Sequence, residues 1–172
     1  MNEVIQNILT RRSVRAFTGE SLTKEQVEIL IQAGLSAPSG MNKQTWQLIG
    51  VLNPDIIEKL AHAIEETQGR EGYNFYNAKT LIITTNEAEG KWSKEDNACV
   101  LENIFLAAHS MGISSVWINQ LLDHCHELKI RKIIEEIGVP SNHDVYGIAA
   151  LGYDVNEPKG QVKKMGTYQI IE

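Results

Sequence analysis

The order of predicted helices and strands indicates a central β-sheet with helices packed on both of its faces. Two observations carry this prediction. Helical and strand-type patterns alternate along the 172 residues, and the segment 96–111 is apolar on nearly every side, which requires burial all round. A chain of this length can bury a sizeable core, so we expect residues 1–172 to form a single domain.

Each predicted helix has its own local signal. Thr23 and Gln26 have the spacing of a capping box, and Pro38 limits the helix that follows. We expect this helix to bury Val27, Leu30, Ile31 and Leu35. Asn53 and Pro54 supply an N-cap and a proline at the first helical position of the next helix. Gly112 and Gly138 end the last two helices. The predicted helices are about 2–10, 23–37, 53–69, 96–111 and 128–137.

Apolar and β-branched runs between these helices predict the strands 46–52, 80–85, 114–118 and 145–151. A final short candidate lies at 167–171, after a long polar connection that is unusual inside a compact monomer. We therefore expect the C-terminal tail to add a strand to the sheet of a partner chain. The segment 96–111, apolar all round, is the natural place for the dimer interface.

Composition excludes several classes of function. The formal net charge of -6 argues against nucleic-acid binding, which needs a broad basic face. No window approaches the ~18 uninterrupted apolar residues of a membrane span, and the N-terminus lacks the pattern of a signal peptide. Two cysteines in unrelated contexts, Cys99 and Cys125, fit a reducing compartment. We expect a cytoplasmic protein without a nucleic-acid or membrane partner.

A basic cluster follows the first predicted helix. Three of the five arginines in this acidic chain, Arg11, Arg12 and Arg15, fall within five positions, with Ser13 between them. The arginine side chain is planar and always charged, so it suits a phosphate group, and the serine hydroxyl can both donate and accept. The alternative is a solvated basic turn, since so short a pattern often occurs by chance.

Four stretches, in this order, resemble the FMN-dependent nitroreductase family. They are 11–15 with Phe17; 37–40 with Asn42, Gln44 and Trp46; 107–112 leading to 116–118; and 151–153. The resemblance covers nearly the whole chain. It implies an α+β three-layer sandwich with a central mixed sheet, a homodimer whose C-terminal segments are exchanged between subunits, and FMN in two sites at the subunit interface.

The resemblance also implies a set of FMN contacts. Arg11, within the cluster that includes Arg12, would contact the phosphate, Ser13 the ribityl or phosphate region, and Arg15 the N1 and O2 edge of the ring. The other implied contacts are Pro38, Ser39, Gly40 and Asn42 from the second subunit, Asn74 at the pyrimidine edge, Asn119 and Gln120 beside N5 and O4, and Lys163 and Lys164 on the phosphate.

The implied activity is a ping-pong oxidoreductase. Hydride would pass from NADH or NADPH through flavin N5 to an electron-poor small molecule such as a nitroaromatic or quinone. No side chain need act as a catalytic nucleophile, because the flavin carries the chemistry. Two alternatives are an FMN storage or sensor protein with little turnover, and a flavoenzyme of the same fold with different chemistry, such as dehalogenation. The chain is short where the family inserts its substrate lid, so we expect an open pocket.

Other residues invite weaker interpretations. His124, Cys125, His126 and Glu127 suggest a metal site, but neighbouring positions point in different directions and the sequence shows no second ligand cluster. Cys125 also lacks an obvious base that would make it a nucleophile. Core packing is favoured over ring stacking for Trp46 and Trp117. Tyr73, Phe75 and Tyr76 could line a substrate pocket or simply pack a loop.

Overall fold

The computed structural model describes residues 2–156 and 165–172. Five helices and four strands alternate along this part of the chain, which confirms the α+β prediction. The helices are α1 (Glu3–Thr10), α2 (Lys24–Leu35), α3 (Pro54–Gln68), α4 (Ser93–Ser110) and α5 (Leu128–Glu136). The strands are β1 (Gln47–Val51), β2 (Thr80–Glu87), β3 (Ser114–Ile118) and β4 (His143–Gly152).

The four strands form one sheet in the order β1-β2-β4-β3, and every neighbouring pair is antiparallel. The expected mixed sheet therefore needs correction, because among the described residues the only parallel pairing is an isolated bridge between Ser13 and Ser115. That bridge joins Ser13, which belongs to no named strand, to Ser115 of β3. It places the arginine segment beside the edge strand β3, where it runs in the same direction as that strand.

The core lies on both faces of the sheet, so the three-layer architecture is confirmed. Along β2, Leu81 and Ile83 face a cluster built with α3 and α5, whereas Ile82 faces a cluster built with α2 and α4. This alternation follows from the two-residue repeat of a strand. Both faces of the central strands are buried, which explains why 80–85 reads as an uninterrupted β-branched run.

The helix starts follow the sequence signals. Thr23 Oγ1 accepts a hydrogen bond from the Gln26 N–H at 3.2 Å, and Gln26 Oε1 accepts one from the Thr23 N–H at 2.9 Å. The buried face of α2 differs from the expected one, since Leu35 is exposed and Gly34 is buried. A Cβ at Gly34 would lie 2.9 Å from Leu48 Cδ2, so the helix approaches the sheet on its glycine side.

Two apolar surfaces remain uncovered in the single chain. Helix α1 packs against α4, but the apolar stripe of α1 faces solvent. The predicted burial of α4 on every side is not complete in one chain, because Glu102 is exposed and Leu106 and Ala107 are only half-buried. The exposed α1 residues are Val4, Ile5, Ile8 and Leu9.

The C-terminal residues 165–172 form no strand within their own chain. Tyr168, Ile170 and Ile171 of this segment are largely exposed. Pairing of 167–171 with the sheet of a second subunit therefore stays a prediction.

Among the described residues, no helix has the length and apolar character needed to cross a membrane. The cytoplasmic location stays a prediction.

Candidate functional site

The segment from Arg11 to Phe17 is held by backbone hydrogen bonds on both sides. The Val14 N–H donates to the Ser115 carbonyl at 3.0 Å, and the Phe17 N–H donates to the Tyr76 carbonyl at 3.1 Å. The side chains of Val14 and Phe17 are buried, which anchors the segment in the core. Ser13 and Arg15 flank Val14 and are exposed, so their polar groups are available to a ligand.

The arginines of this segment differ in their partners. Arg12 Nη2 lies 3.4 Å from Asp154 Oδ2, while the guanidinium carbon of Arg11 lies 5.9 Å from the centroid of the Phe105 ring. Among residues 2–156 and 165–172, no carboxylate ion-pairs with Arg11 or Arg15. Two cations without a counter-charge, in a chain of net charge -6, favour binding of an anion.

His109, near the end of α4, lies within the electrostatic influence of Arg11 and Arg12. Its Nε2 lies 2.8 Å from Thr10 Oγ1, at the end of α1. Burial, and then the charges of Arg11 and Arg12, lower the pKa of His109 below its ordinary value. The neutral imidazole is therefore favoured, and it can exchange a hydrogen bond with Thr10 or with a ligand.

Two cavities lie along the arginine segment and share Arg12, Val14 and Asp154 in their walls. One has a volume of about 440 Å³ and contains Ser13 and Arg15. The other has a volume of about 370 Å³ and contains Arg11 and the Thr10–His109 pair.

Sequence reasoning missed several residues of these walls. Asp154 and Asn156 follow directly after the 151–153 motif, so their proximity to a recognised pattern was an available signal. Thr10 precedes the 11–15 stretch and His109 lies within the 107–112 stretch, but nothing in the sequence pairs them, because only the packing of α1 against α4 brings them together.

The loop that contains Pro38, Ser39, Gly40 and Asn42 lies at the opposite end of α4. The Gly40 N–H donates to Asp96 Oδ1 at 2.9 Å, and a Cβ at Gly40 would lie 2.6 Å from the Trp92 ring. Arg11 lies over Phe105, and nine residues of helix separate Asp96 from Phe105, or about 14 Å. A single chain therefore does not bring this loop to the arginines.

The remaining predicted contacts are dispersed. Asn119 and Gln120 follow the last residue of β3, and Asn119 is about 13 Å along the strand direction from Ser115, the neighbour of Ser13. Asn74 lines a separate cavity of about 410 Å³ beside α3, whose walls contain none of the three arginines of the 11–15 segment. Lys163 and Lys164 lie outside the described residues.

In the loop that carries Asn74, a different residue reaches the arginine segment. Asn77 Nδ2 donates to the Phe17 carbonyl at 3.1 Å. This contact fixes the backbone of the segment at Phe17. The side-chain amide of Asn77 therefore serves a structural hydrogen bond. The sequence offered no signal for it, because Asn74 and Asn77 are equivalent in type and in loop context.

Several open alternatives are resolved by burial. Trp46 is buried as expected, but the core prediction for Trp117 is wrong, since this residue is 40% exposed. Tyr73 and Phe75 are buried edge to face with their ring centroids 5.0 Å apart, which favours packing over a substrate wall. Cys125 is also buried, and burial raises the pKa of its thiol, so it is a poor nucleophile.

Comparisons with known proteins agree with this fold. The model of the Nitroreductase family matches residues 8–153. A crystal structure of a nitroreductase with bound FMN from Bacteroides fragilis is 39% identical, has a TM-score of 0.93, and covers 100% of both chains.

Two curated relatives extend the comparison. An Archaeoglobus fulgidus protein, provisionally named NADH dehydrogenase/NAD(P)H nitroreductase, is 31% identical over 164 residues, which is 91% of this chain and 88% of the relative. The NADPH-flavin oxidoreductase of Vibrio harveyi is 28% identical over 174 residues, covering 92% and 69%. With a family match that spans most of its length, this chain belongs to the nitroreductase family.

Proposed function

We propose that this protein is an FMN-dependent oxidoreductase that takes electrons from NADH or NADPH and passes them to an electron-poor small molecule, such as a nitroaromatic or a quinone. The observation that carries the proposal is a pair of cations in one anchored segment, Arg11 and Arg15, with which no carboxylate of the described residues forms an ion pair. The Bacteroides fragilis relative with bound FMN supports the choice of anion. We further propose that residues 1–172 form one domain.

The residues present fit a flavin mononucleotide. The phosphate carries roughly two negative charges, and Arg11 can offer it parallel charge-assisted hydrogen bonds. Thr10 and His109 lie in the same cavity wall and add neutral hydrogen-bonding groups at that end. Ser13 and Arg15 lie in the wall of the adjoining cavity, where they suit the ribityl chain and the pyrimidine edge.

The roles of the protein residues are positional and electrostatic. When bound, FMN supplies the capacity to accept a hydride from a nicotinamide and to donate electrons onward. Arg15 would hold a fixed positive charge beside the ring edge, where it would favour uptake of negative charge. Donor and acceptor would use the same open face in turn, as a ping-pong reaction requires. The buried Cys125 thiol contributes no nucleophile.

A homodimer would complete the site. The arginines and the loop with Ser39 and Gly40 contact α4 at positions about 14 Å apart, so two copies in opposite orientations can place the loop of one beside the arginines of the other. The exposed apolar stripe of α1 and the half-buried side of α4 form adjacent surfaces that a second copy can cover.

The C-terminal segment provides further support for the dimer. Tyr168, Ile170 and Ile171 are largely exposed in one chain, and short polar–apolar segments of this kind gain stability when they join a neighbouring sheet.

The decisive experiment is anaerobic flavin spectroscopy of the purified protein. We expect bound FMN, bleaching of its visible absorption by NADH or NADPH, and recovery of the absorption on addition of a nitroaromatic. Flavin that binds but is reduced by neither nicotinamide would replace this proposal with a storage or sensor function. Recovery with a halogenated phenol but not with nitroaromatics or quinones would favour dehalogenation. Failure to bind FMN would refute the proposal.

A further inference from the structure

A second group of polar side chains lies far from the arginine segment. Cys125 and His126 belong to the turns between β3 and α5, and they meet Asp144 near the start of β4. Gly152, at the other end of β4, is eight residues from Asp144, or about 26 Å along the strand. Asp154 and its partner Arg12 lie beyond that end, so this group is separate from the proposed phosphate site.

The three side chains converge on one point. His126 Nε2 lies 2.9 Å from Asp144 Oδ1, Cys125 Sγ lies 3.9 Å from the same oxygen, and all three ligand atoms lie within 4.8 Å of one another. The sequence showed no second ligand cluster to accompany the residues from His124 to Glu127, because Asp144 is distant in the chain and only the docking of the turn on β4 brings it close.

We propose that Cys125, His126 and Asp144 bind a divalent transition-metal ion of the zinc type, with water at the remaining coordination position. Thiolate, imidazole and carboxylate are the three ligand types that zinc accepts in proteins, and three protein ligands plus water are typical of an open zinc site. The thiolate and the carboxylate together balance the two positive charges of the ion.

The geometry requires only a small adjustment. Zinc bonds of about 2.3 Å to sulfur and about 2.0 Å to nitrogen and oxygen give ligand separations of about 3.3–3.6 Å in a tetrahedral site. The His126 side chain is 69% exposed, so its ring can turn toward the ion and leave a path for its entry. Cys125 and Asp144 are the more firmly placed pair, since Cys125 is buried and the Asp144 side chain is only 21% exposed.

The sulfur is buried beside the Asp144 carboxylate, so a thiolate there needs a cation as its partner. A divalent ion held by the three side chains would supply that positive charge, because a coordinating thiol gives up its proton to the metal. Arg131 is the opposing charge in this region, and its Nε is paired with Glu135 Oε1 at 2.7 Å while its remaining nitrogens donate to backbone carbonyls.

A simple ion pair between His126 and Asp144 would account for two of the three residues. A pair with one partner as exposed as His126 is worth little to stability and involves no thiol. His62 provides the internal comparison, because its Nδ1 lies 3.1 Å from Glu65 Oε2 and its side chain is similarly exposed, but the described residues place no cysteine in a metal-binding group with it. The two histidines therefore separate metal binding from ion pairing.

The test is a metal titration of the FMN-loaded protein after treatment with a chelator. Zinc binding is measured by calorimetry, and cobalt(II) binding by difference absorption against the same flavoprotein without metal. We expect one ion per chain and a thiolate-to-cobalt charge-transfer band. His126→Gln should weaken binding at least tenfold, and Asp144→Asn should do the same, whereas His62→Gln should leave it unchanged.

Each contrary result has a definite meaning. Absence of binding, binding without a thiolate band, or binding that His126→Gln leaves unchanged would each overturn the proposal. Cys125→Ser should abolish the charge-transfer band, but it alters a buried residue, so the exposed His126→Gln variant carries the test if the serine variant does not fold. The titration does not depend on electron transfer, and its failure leaves the proposed oxidoreductase function untouched.

Discussion

The hydroxyl of Thr10 lies 2.8 Å from Nε2 of His109, and this contact ties the end of α1 to the last turn of α4. Arg11 is the next residue in the chain, so the contact determines where the arginine segment begins. The Val14 hydrogen bond to Ser115 then directs that segment along β3. The cationic end of the proposed FMN site is thus built by the packing of two helices and one edge strand.

Replacement of Arg11 by alanine should weaken FMN binding by about tenfold or more, because it removes a charged phosphate contact that no described carboxylate neutralises. The measurement is a titration of FMN with the apoprotein, in which quenching of the flavin fluorescence reports binding. Arg70→Ala is the matched control, since Arg70 lies over the Tyr73 ring and outside both arginine cavities. Unchanged affinity in Arg11→Ala would remove this residue from the site.

Stability should fall as the pH decreases below about 6.5, the ordinary pKa of histidine. Burial is the main cause that lowers the pKa of both His109 and His143 in the folded chain. Below pH 6.5 the unfolded chain therefore binds more protons than the folded chain, and the difference favours unfolding until the pH passes the folded-state pKa values.

Urea unfolding of the apoprotein at pH 7.5 and pH 5.5 measures this effect. We expect a smaller loss of stability in His143→Gln than in the wild type, since His143 is buried with its Nδ1 3.0 Å from Thr85 Oγ1. Equal stability at the two pH values in the wild type would contradict the prediction.

The sequence predicted most elements within a few residues, because caps, prolines and periodicity act locally. It placed the exposure of Leu35 and Trp117 wrongly, since exposure depends on how an element meets its neighbours. Gly34 rather than Leu35 faces the sheet. Trp117 lies on the edge strand β3, where its ring meets Phe105 of α4 with the centroids 6.2 Å apart but keeps 40% of its surface exposed.

The candidate site shows the same limit. The arginine segment could be recognised because its residues are consecutive, whereas Thr10 and His109 are separated by 99 positions. Asp144 was missed as a neighbour of Cys125 for the same reason. Local sequence patterns identify consecutive groups, but contacts between distant segments require the packed structure.

Gly40→Ala should disturb the loop that we propose for the second half of the FMN site. The added Cβ would lie 2.6 Å from the Trp92 ring, and relief of that contact must move the loop or the indole. We expect a loss of about 1–3 kcal/mol in the free energy of unfolding, the usual cost of overpacking, together with weaker FMN binding.

A double-mutant cycle checks this explanation. In a Trp92→Ala background the ring is absent, so the additional effect of Gly40→Ala on unfolding should largely disappear. An effect of the same size in both backgrounds would mean that contact with Trp92 is not its cause.

Replacement of Ile8 by lysine should separate folding from assembly. Ile8 lies on the exposed stripe of α1, so a charged side chain there should leave the fold of the single chain intact. If the stripe covers a second copy, the charge would be buried at the interface, and the dimer should dissociate. Sedimentation should then report a monomer, and FMN affinity should fall with it, because the loop at Gly40 would no longer reach the arginines.

Leu128→Lys, at a more exposed apolar position on α5, should change neither property. A monomeric Ile8→Lys protein that binds FMN as tightly as the wild type would show that one chain alone forms the site.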